Sequence, residues 1–570
     1  MKRFPFNSDF KPLLPDGSIS TRNTAYSGLE SRPPSVRIRK GESYLQTRSY
    51  ELLKERFGFD AFRPGQVEVI GAILEGRDTL TIMPTGSGKS LCFQIPGLQM
   101  EGMTIVFSPL IALMKDQVDA LRAGGVPAAC INSAQTPTET YQIYREIQDG
   151  RIKILYLAPE RLESLSFARL FTGIRVSLTV IDEAHCVSQW GHDFRPSYRS
   201  IAPFLDAMEM RPIVAAFTAT ATTGIRNDII GLLRLTNPLI TTTSLDRPNL
   251  TLSVSHPREK EPVIANYIRA HPKASGIIYT GTRQEVEHLT RFLKENQISA
   301  VGYHAGMEND ARIAAQEGFL QGRNRVIVAT NAFGLGIDKS DVRYVIHYRL
   351  PKDIESYYQE IGRAGRDGEA ADCLLLYQPG DEASPRYLIQ NDDTTEPLRK
   401  LRFSKLQRMV DYALTTDCLR ESLLRYLGED PGESNCGSCS NCTKDWAEQD
   451  ITIEAQKILS CIYWLKERFG STVVAAVLKG SRTKKIIDYR LDTIKTYGQL
   501  SHLSSREIKD LINVLLIDGL IVKSDEAFPV LKLSPSSRKV LKGDRPVYRK
   551  VSEEHSGYAV ADCLQSVKVR

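Results

Sequence analysis

The chain has 570 residues, 42% hydrophobic and 25% charged, with a formal net charge of +6. That length exceeds one hydrophobic core and predicts about three or four domains. No apolar run reaches membrane-spanning length and no apolar signal core opens the chain, which excludes a membrane-embedded protein and the secretory route. Residues 1–40 hold eight Lys or Arg against three Asp or Glu, which is +5 of the total. The remainder is near neutral, so any attraction for nucleic acid must come from local grooves rather than net charge. The first segment is rich in Ser, Pro and Arg, lacks apolar periodicity, and reads as a disordered tail over 1–44. An organelle transit peptide is the other reading, opposed by its prolines.

From about residue 45 to 380, short apolar runs alternate with helical stretches, the pattern of parallel sheets covered on both faces. The first run, Thr79 to Met83, leads into Pro84-Thr85-Gly86-Ser87-Gly88-Lys89-Ser90 and a helix. Such glycines let backbone N–H groups close on phosphate oxygens at a helix N-terminus. Thr85, Gly86, Ser87 and Gly88 would form the cradle. Lys89 would reach the β- and γ-phosphates and Ser90 would ligate magnesium. Met83 stands where the strict motif has Gly, the variant used by helicases. Further runs follow at Thr104–Phe107, Ile154–Leu157 and Leu178–Ile181.

The last of these ends in Asp182-Glu183. Asp182 is placed to hold magnesium, and Glu183 to orient and deprotonate the attacking water. The chain then runs through Gln189, Trp190, Phe194 and Arg195. Flat side chains stack on any base, which suits a motor that ignores sequence, and Arg195 offers a phosphate or cation–π contact. Packing between lobes is the competing reading for Trp190 and Phe194. His185 is either a structural histidine or a relay of the γ-phosphate state to the second lobe. After a run at Ile213–Ala216, Thr243 to Lys260 reads as a linker. A second series follows at Gly276–Tyr279, Val326–Val328, Tyr344–Ile346 and Cys373–Leu376. Within it, Gln359-Glu360-Ile361-Gly362-Arg363-Ala364-Gly365-Arg366-Asp367 presents two arginines one helical turn apart between glycines, which reads as a pair of arginine fingers. Two lobes would thus sandwich ATP.

Cys418 is followed by Cys436, Cys439 and Cys442. Two-residue gaps let successive sulfurs face one tetrahedral ion, so a closed, structural zinc site is expected rather than disulfides. Its loss should unfold residues from about 400 to 445. Further on, Ser504 and Glu507 form a capping box ahead of Ile508, Leu511, Ile512, Leu515 and Leu516 at helical spacing. Leu520–Lys523 and Val530–Leu533 read as a hairpin, and helix followed by hairpin suggests a winged helix. Arg482, Lys484 and Lys485 form a small basic cluster, equally readable as plain surface charge.

The order of these motifs resembles the RecQ family of superfamily-two DNA helicases from about Tyr50 to Gly543. Phe57 to Gln66 is similar to the family's adenine-binding segment, which implies that Gln66 reads the adenine edge, with Arg63 beside it and Phe59 stacking. Ser108 to Gln117, Thr218 to Ala221, Tyr303 to Gly306 and Ala329 to Asp338 resemble further helicase motifs. The Gln189–Arg195 stretch matches the family's aromatic-rich loop, which couples DNA binding to hydrolysis.

The resemblance implies an α/β fold of two RecA-like parallel-sheet lobes, 45–245 and 246–380, then a helical zinc module, 381–446. A winged helix, 447–543, and a polar tail, 544–570, complete it. The helical HRDC domain that often follows in relatives is not expected. The hairpin implies a strand-separating wedge, with Phe528 as its candidate tip residue. An ATP-, Mg2+- and Zn2+-dependent helicase moving 3′ to 5′ on single-stranded DNA and opening duplex or branched DNA is expected, in recombination and repair. It would be intracellular, on the nucleoid in a bacterium, with a single-strand-binding protein as a candidate partner and no membrane contact. An RNA helicase, or a DNA-binding and annealing factor whose ATP site only switches affinity, are the other readings.

Overall fold

The computed structural model describes residues 44–552 apart from 133–134, 164–166, 168, 192, 334–338, 433–434 and 525–528. The expected basic tail and the wedge candidate Phe528 therefore lie outside the described residues, Tyr44 excepted.

The first lobe is a parallel sheet of β1 (Thr79–Ile82), β2 (Met103–Phe107), β3 (Ala128–Ile131), β4 (Ile154–Leu157), β5 (Val176–Ile181), β6 (Ile213–Thr218) and β7 (Leu239–Thr242). Their order is β3-β4-β2-β5-β6-β1-β7. The inner strands are buried along almost their whole length because helices cover both faces, and a separate apolar layer lies on each side. The second lobe contains β8 (Leu250–Ser255), β9 (Ser275–Tyr279), β10 (Ala300–Tyr303), β11 (Val326–Ala329), β12 (Val342–His347) and β13 (Ala371–Leu376), in the order β10-β11-β9-β12-β13-β8. In such sheets ligands gather beyond the carboxyl ends of the strands. The phosphate loop follows β1 and the acidic pair follows β5, which places both at that end.

The linker is shorter than the sequence predicts, because Leu250–Ser255 is a strand. Leu250, Leu252 and Val254 are buried and alternate with half-exposed Thr251, Ser253 and Ser255, an edge-strand pattern without a continuous apolar run. Its free edge is covered by the cysteine module: Ser440 N–H donates to the Leu252 carbonyl at 2.9 Å, and the Val254 N–H donates to Ser440 Oγ at 3.1 Å.

Helices Glu396–Leu414 and Leu419–Tyr426 carry the cysteine module. Their buried Leu406, Met409, Val410, Leu419 and Leu423 join the core of the second lobe. The last module has its own core around Ile458, Leu478, Ile508, Ile512 and Leu531. Its capping box forms as predicted, Glu507 N–H donating to Ser504 Oγ at 3.2 Å and Ser504 N–H to Glu507 Oε2 at 2.6 Å. The expected hairpin is β15 (Ile521–Lys523) with β16 (Leu531–Leu533). No described helix is long and apolar enough to cross a membrane.

The tail expected from residue 544 is corrected as far as Ser552. Tyr548–Ser552 (β17) pairs antiparallel with Trp446–Asp450 (β14), and Val547 is buried. One buried valine among Arg, Tyr and Lys gives no apolar period; the strand exists because a partner strand about a hundred residues earlier supplies its hydrogen bonds.

Close packing inside the second lobe gives a stability test. A methyl on Gly276 would sit 1.9 Å from Cε2 of Tyr344, which is itself buried. Gly276→Ala is expected to destabilise this lobe by about 3 kcal/mol, read as a lowered urea midpoint.

Candidate active site and nucleic-acid loop

The phosphate loop turns on Gly86 and Gly88, with φ of 80° and 85°, and Gly88 caps helix Lys89–Gln99. Lys89 Nζ and Thr85 Oγ1 are buried without a hydrogen-bond partner. Unsatisfied polar atoms are costly in a folded interior, so a glycine cradle holding a buried, unpartnered ammonium fits a polyphosphate. Ser90 follows Lys89 on the first turn of the helix.

Gln66 is buried against this loop rather than projecting from it. Its Oε1 accepts from Arg63 N–H at 2.8 Å, and its Nε2 donates to the Gly88 carbonyl at 2.9 Å. Arg63 also donates to the Gly86 carbonyl. The expected adenine-reading pair is thus tied to the backbone of the phosphate loop. Phe59 is 52% exposed, open for a flat ligand to stack on.

Asp182 lies across from the cradle. Ser108 Oγ donates to its carboxylate at 3.5 Å and the buried Tyr198 hydroxyl to its backbone carbonyl at 2.9 Å. Burial and the adjacent Glu183 carboxylate push the Asp182 carboxyl up to about 6, opposed by Lys89. Two crowded carboxylates beside a phosphate cradle fit a divalent cation, which would hold both ionised. Glu183 has the left-handed φ of 49°, uncommon for a residue with a side chain. His185 Nδ1 lies 3.3 Å from Glu183 Oε2 and 3.0 Å from Thr218 Oγ1, and Thr218 Oγ1 donates to the Thr220 carbonyl. These contacts carry His185 to the end of β6 and suit either reading of it, structural or relay.

The second lobe closes on the cradle. A methyl on Gly362 would meet Thr85 Oγ1 at 2.2 Å, and one on Gly86 would lie 3.2 Å from Cγ of Arg366. Helix Ile354–Ile361 leads directly into this turn and carries Gln359; Arg363 is buried one turn before Arg366. Gly362→Ala should therefore hold the lobes apart and reduce kcat by about tenfold, seen in steady-state ATP turnover.

Sequence reasoning gave Arg247 no role beyond the linker. Its guanidinium donates to the Thr85 carbonyl at 3.2 Å in one lobe and to the Ala364 and Gly365 carbonyls at 3.1 and 2.7 Å in the other. It bridges the two lobes across the cleft. Only the tertiary structure brings these carbonyls together, although an arginine in a short interlobe linker is itself a signal.

Gln189 and Trp190 are exposed, Trp190 by 38%, and Phe194 is half-buried. Arg195 is consumed within the loop: it pairs with Asp193 at 3.2 Å and donates to the Pro109 carbonyl at 3.1 Å. Arg199 lies over the Phe194 ring, at 5.2 Å from its centre.

The sulfurs of Cys418, Cys436, Cys439 and Cys442 all lie within 4.8 Å of one another, and none forms a disulfide. Backbone N–H groups of Leu419, Glu421 and Cys439 donate to Cys439, Cys418 and Cys436 Sγ at 3.4, 3.5 and 3.3 Å. Burial opposes ionisation of Cys436, but Ser438, the Cys439 N–H and Cys418 outweigh it and hold the thiol down at about 6; burial and the neighbouring thiols push Cys442 up to about 12. Four converging sulfurs, one already acidic and stabilised by N–H donors, suit a tetrahedral zinc ion.

Comparison with known proteins matches residues 63–227 to the DEAD/DEAH box helicase family and 259–368 to the helicase conserved C-terminal domain. Residues 379–443 match the RecQ zinc-binding family and 445–557 the RQC domain. The ATP-dependent DNA helicase RecQ of Bacillus subtilis is 48% identical over 504 residues, 88% of this chain and 85% of that protein. The protein of the same description from Pasteurella multocida is 40% identical over 523 residues, 91% and 82% of the two chains. Among solved structures, the DUF1998 helicase MrfA bound to DNA superposes with a TM-score of 0.50 at 17% identity, covering 66% of this chain and 57% of that one, a likeness of fold.

Proposed function

We infer that this chain, which belongs to the RecQ family of ATP-dependent DNA helicases, travels 3′ to 5′ on single-stranded DNA and opens duplex or branched DNA in recombination and repair. The reading rests above all on one juxtaposition: Arg366 and Gly362 of the second lobe meet the Thr85–Gly86 cradle of the first. A motor needs such a cleft to open and close. ATP with magnesium supplies the phosphoryl group and neutralises part of its charge. Lys89 and the loop N–H groups hold its phosphates, and Ser90 and Asp182 hold the magnesium. Glu183 takes the proton of the attacking water; Arg363 and Arg366 offset charge as the bond breaks, and Gln359 sits beside them. Phe59, Arg63 and Gln66 bind the base, Gln66 exchanging a loop carbonyl for the adenine edge.

Gln189, Trp190 and Phe194 lie on DNA, with Arg195 shaping their loop, while the β15–β16 hairpin divides the strands. In a bacterium such work on chromosomal DNA would be done in the cytoplasm on the nucleoid, where a single-strand-binding protein is a fitting partner. The RNA-helicase reading gives way to the DNA helicases that the chain resembles along its whole folded length. The test is strand separation of a duplex with a 3′ single-stranded tail beside one with a 5′ tail. Unwinding only of the 3′-tailed duplex is expected; preference for the 5′ tail overturns the polarity. ATP hydrolysis without unwinding of either favours the annealing factor.

A further inference from the structure

The aromatic loop, the helix that leads into the arginine turn and the cysteine module meet at one side chain. Lys405, on helix Glu396–Leu414, lies 2.9 Å from Glu355 Oε1, and its Nζ donates to the backbone carbonyl of Trp190 at 3.3 Å. Both charged side chains are largely withdrawn from water, Lys405 being 13% and Glu355 4% exposed. The other Glu355 oxygen accepts from the Tyr426 hydroxyl at 3.0 Å. Trp190 therefore presents its ring outward and its carbonyl inward to an ammonium. Glu355 stands in the first turn of helix Ile354–Ile361, whose far end runs into Gly362, Arg363 and Arg366. That helix is packed along its length through buried Ile354, Tyr357, Tyr358 and Ile361, a stiff link between its two ends.

We propose that Lys405 is a positioning residue that transmits the state of the aromatic loop to the arginine turn, and so couples DNA binding to ATP hydrolysis. The inference rests on the reading of that loop as a DNA contact. A base stacking on Trp190 shifts the loop backbone, and the Trp190 carbonyl is bonded to Lys405. In a site shielded from water, a shift in one hydrogen bond of the ammonium changes its pull on Glu355, where exposed charges would be screened. Glu355 heads the helix that leads into the arginine turn. Lys405 contacts neither nucleotide-binding nor reacting groups, so its effect is on the DNA response, not on basal chemistry.

Removing Lys405 alone would leave the Glu355 carboxylate buried and unpaired, with a folding penalty of its own. The test therefore uses the full chain with the paired variant Lys405→Met/Glu355→Gln, plus Lys405→Arg. ATP turnover is measured with and without an oligothymidine strand, and binding of that strand by fluorescence anisotropy. The paired variant is expected to keep its basal turnover and DNA affinity while the ratio of stimulated to basal kcat falls by about fivefold or more. Lys405→Arg should retain most of the ratio. A ratio within about twofold of wild type, or one that falls only in step with DNA affinity, overturns the proposal. Trp190→Ala separates the two readings. If it keeps the whole DNA response, the loop is not the sensor and the coupling falls with it. If it loses the response while the paired variant keeps it, the loop reading stands and Lys405 alone is excluded.

Discussion

Lys89→Ala is expected to abolish nucleotide binding and unwinding together, whereas Glu183→Gln should bind nucleotide normally and lose turnover by about 10³-fold. The split follows from position. Lys89 is a buried ammonium without a hydrogen-bond partner at the head of the helix, so removing it takes away the main cation facing the phosphates. Glu183 follows β5 at the same end of the first lobe, in a strained left-handed conformation and 3.3 Å from His185. Glutamine keeps the shape and the contact to His185 but accepts no proton from water. Fluorescent-nucleotide titration and phosphate release distinguish the two variants. Normal turnover in Glu183→Gln would move the general base elsewhere in the cleft. Tight binding in Lys89→Ala would mean that the loop N–H groups alone hold the phosphates.

What could be read from the chain was local. The phosphate loop, the acidic pair and the cysteine spacing each lie within a few residues, and their chemistry depends on spacing alone. The capping box at Ser504 and the hairpin after it were legible for the same reason. The features that escaped depend on distant partners. The strand Leu250–Ser255 buries only one of its faces, so its apolar residues alternate, and its edge is completed by the distant cysteine module; the strand at Tyr548–Ser552 pairs with Trp446–Asp450. Arg199 over the Phe194 ring, and the tie of Arg195 to Asp193 and the Pro109 carbonyl, depend on the folded loop. Arg247 was in view as part of a linker, but its role needs carbonyls contributed by two lobes. Gln66 was found as part of a motif, while its grip on the Gly88 carbonyl belongs to the folded cleft.

Loss of zinc should disable the motor as well as unfold its own module. The sequence alone argues that the region of about 400 to 445 unfolds, with no direct effect on the chemistry. The structure ties that region to the linker. Arg420 pairs with Asp246, donates to the Arg247 carbonyl at 2.8 Å and also bonds the Leu250 carbonyl. Glu429 accepts from Ser244 Oγ and Leu245 N–H, each at 2.6 Å. The residue so held, Arg247, is the one that spans the Thr85 and Gly365 carbonyls across the cleft. Structural zinc contributes about 10 kcal/mol or more to the folding of small zinc modules, so the helix carrying Arg420 and the turn carrying Glu429 should not survive its removal. Cys439→Ser strikes at the most buried of the four ligands. It is expected to lower zinc content and the melting temperature, and to cut DNA-stimulated ATP turnover by about tenfold or more. Arg420→Ala, with all four cysteines and zinc retained, should reproduce part of the turnover loss without the zinc loss, because it frees the linker directly. Measuring zinc content, melting temperature and turnover on both variants settles the order of events. If Arg420→Ala is fully active while Cys439→Ser is not, zinc acts by holding the module together and the grip on the linker carries none of the effect.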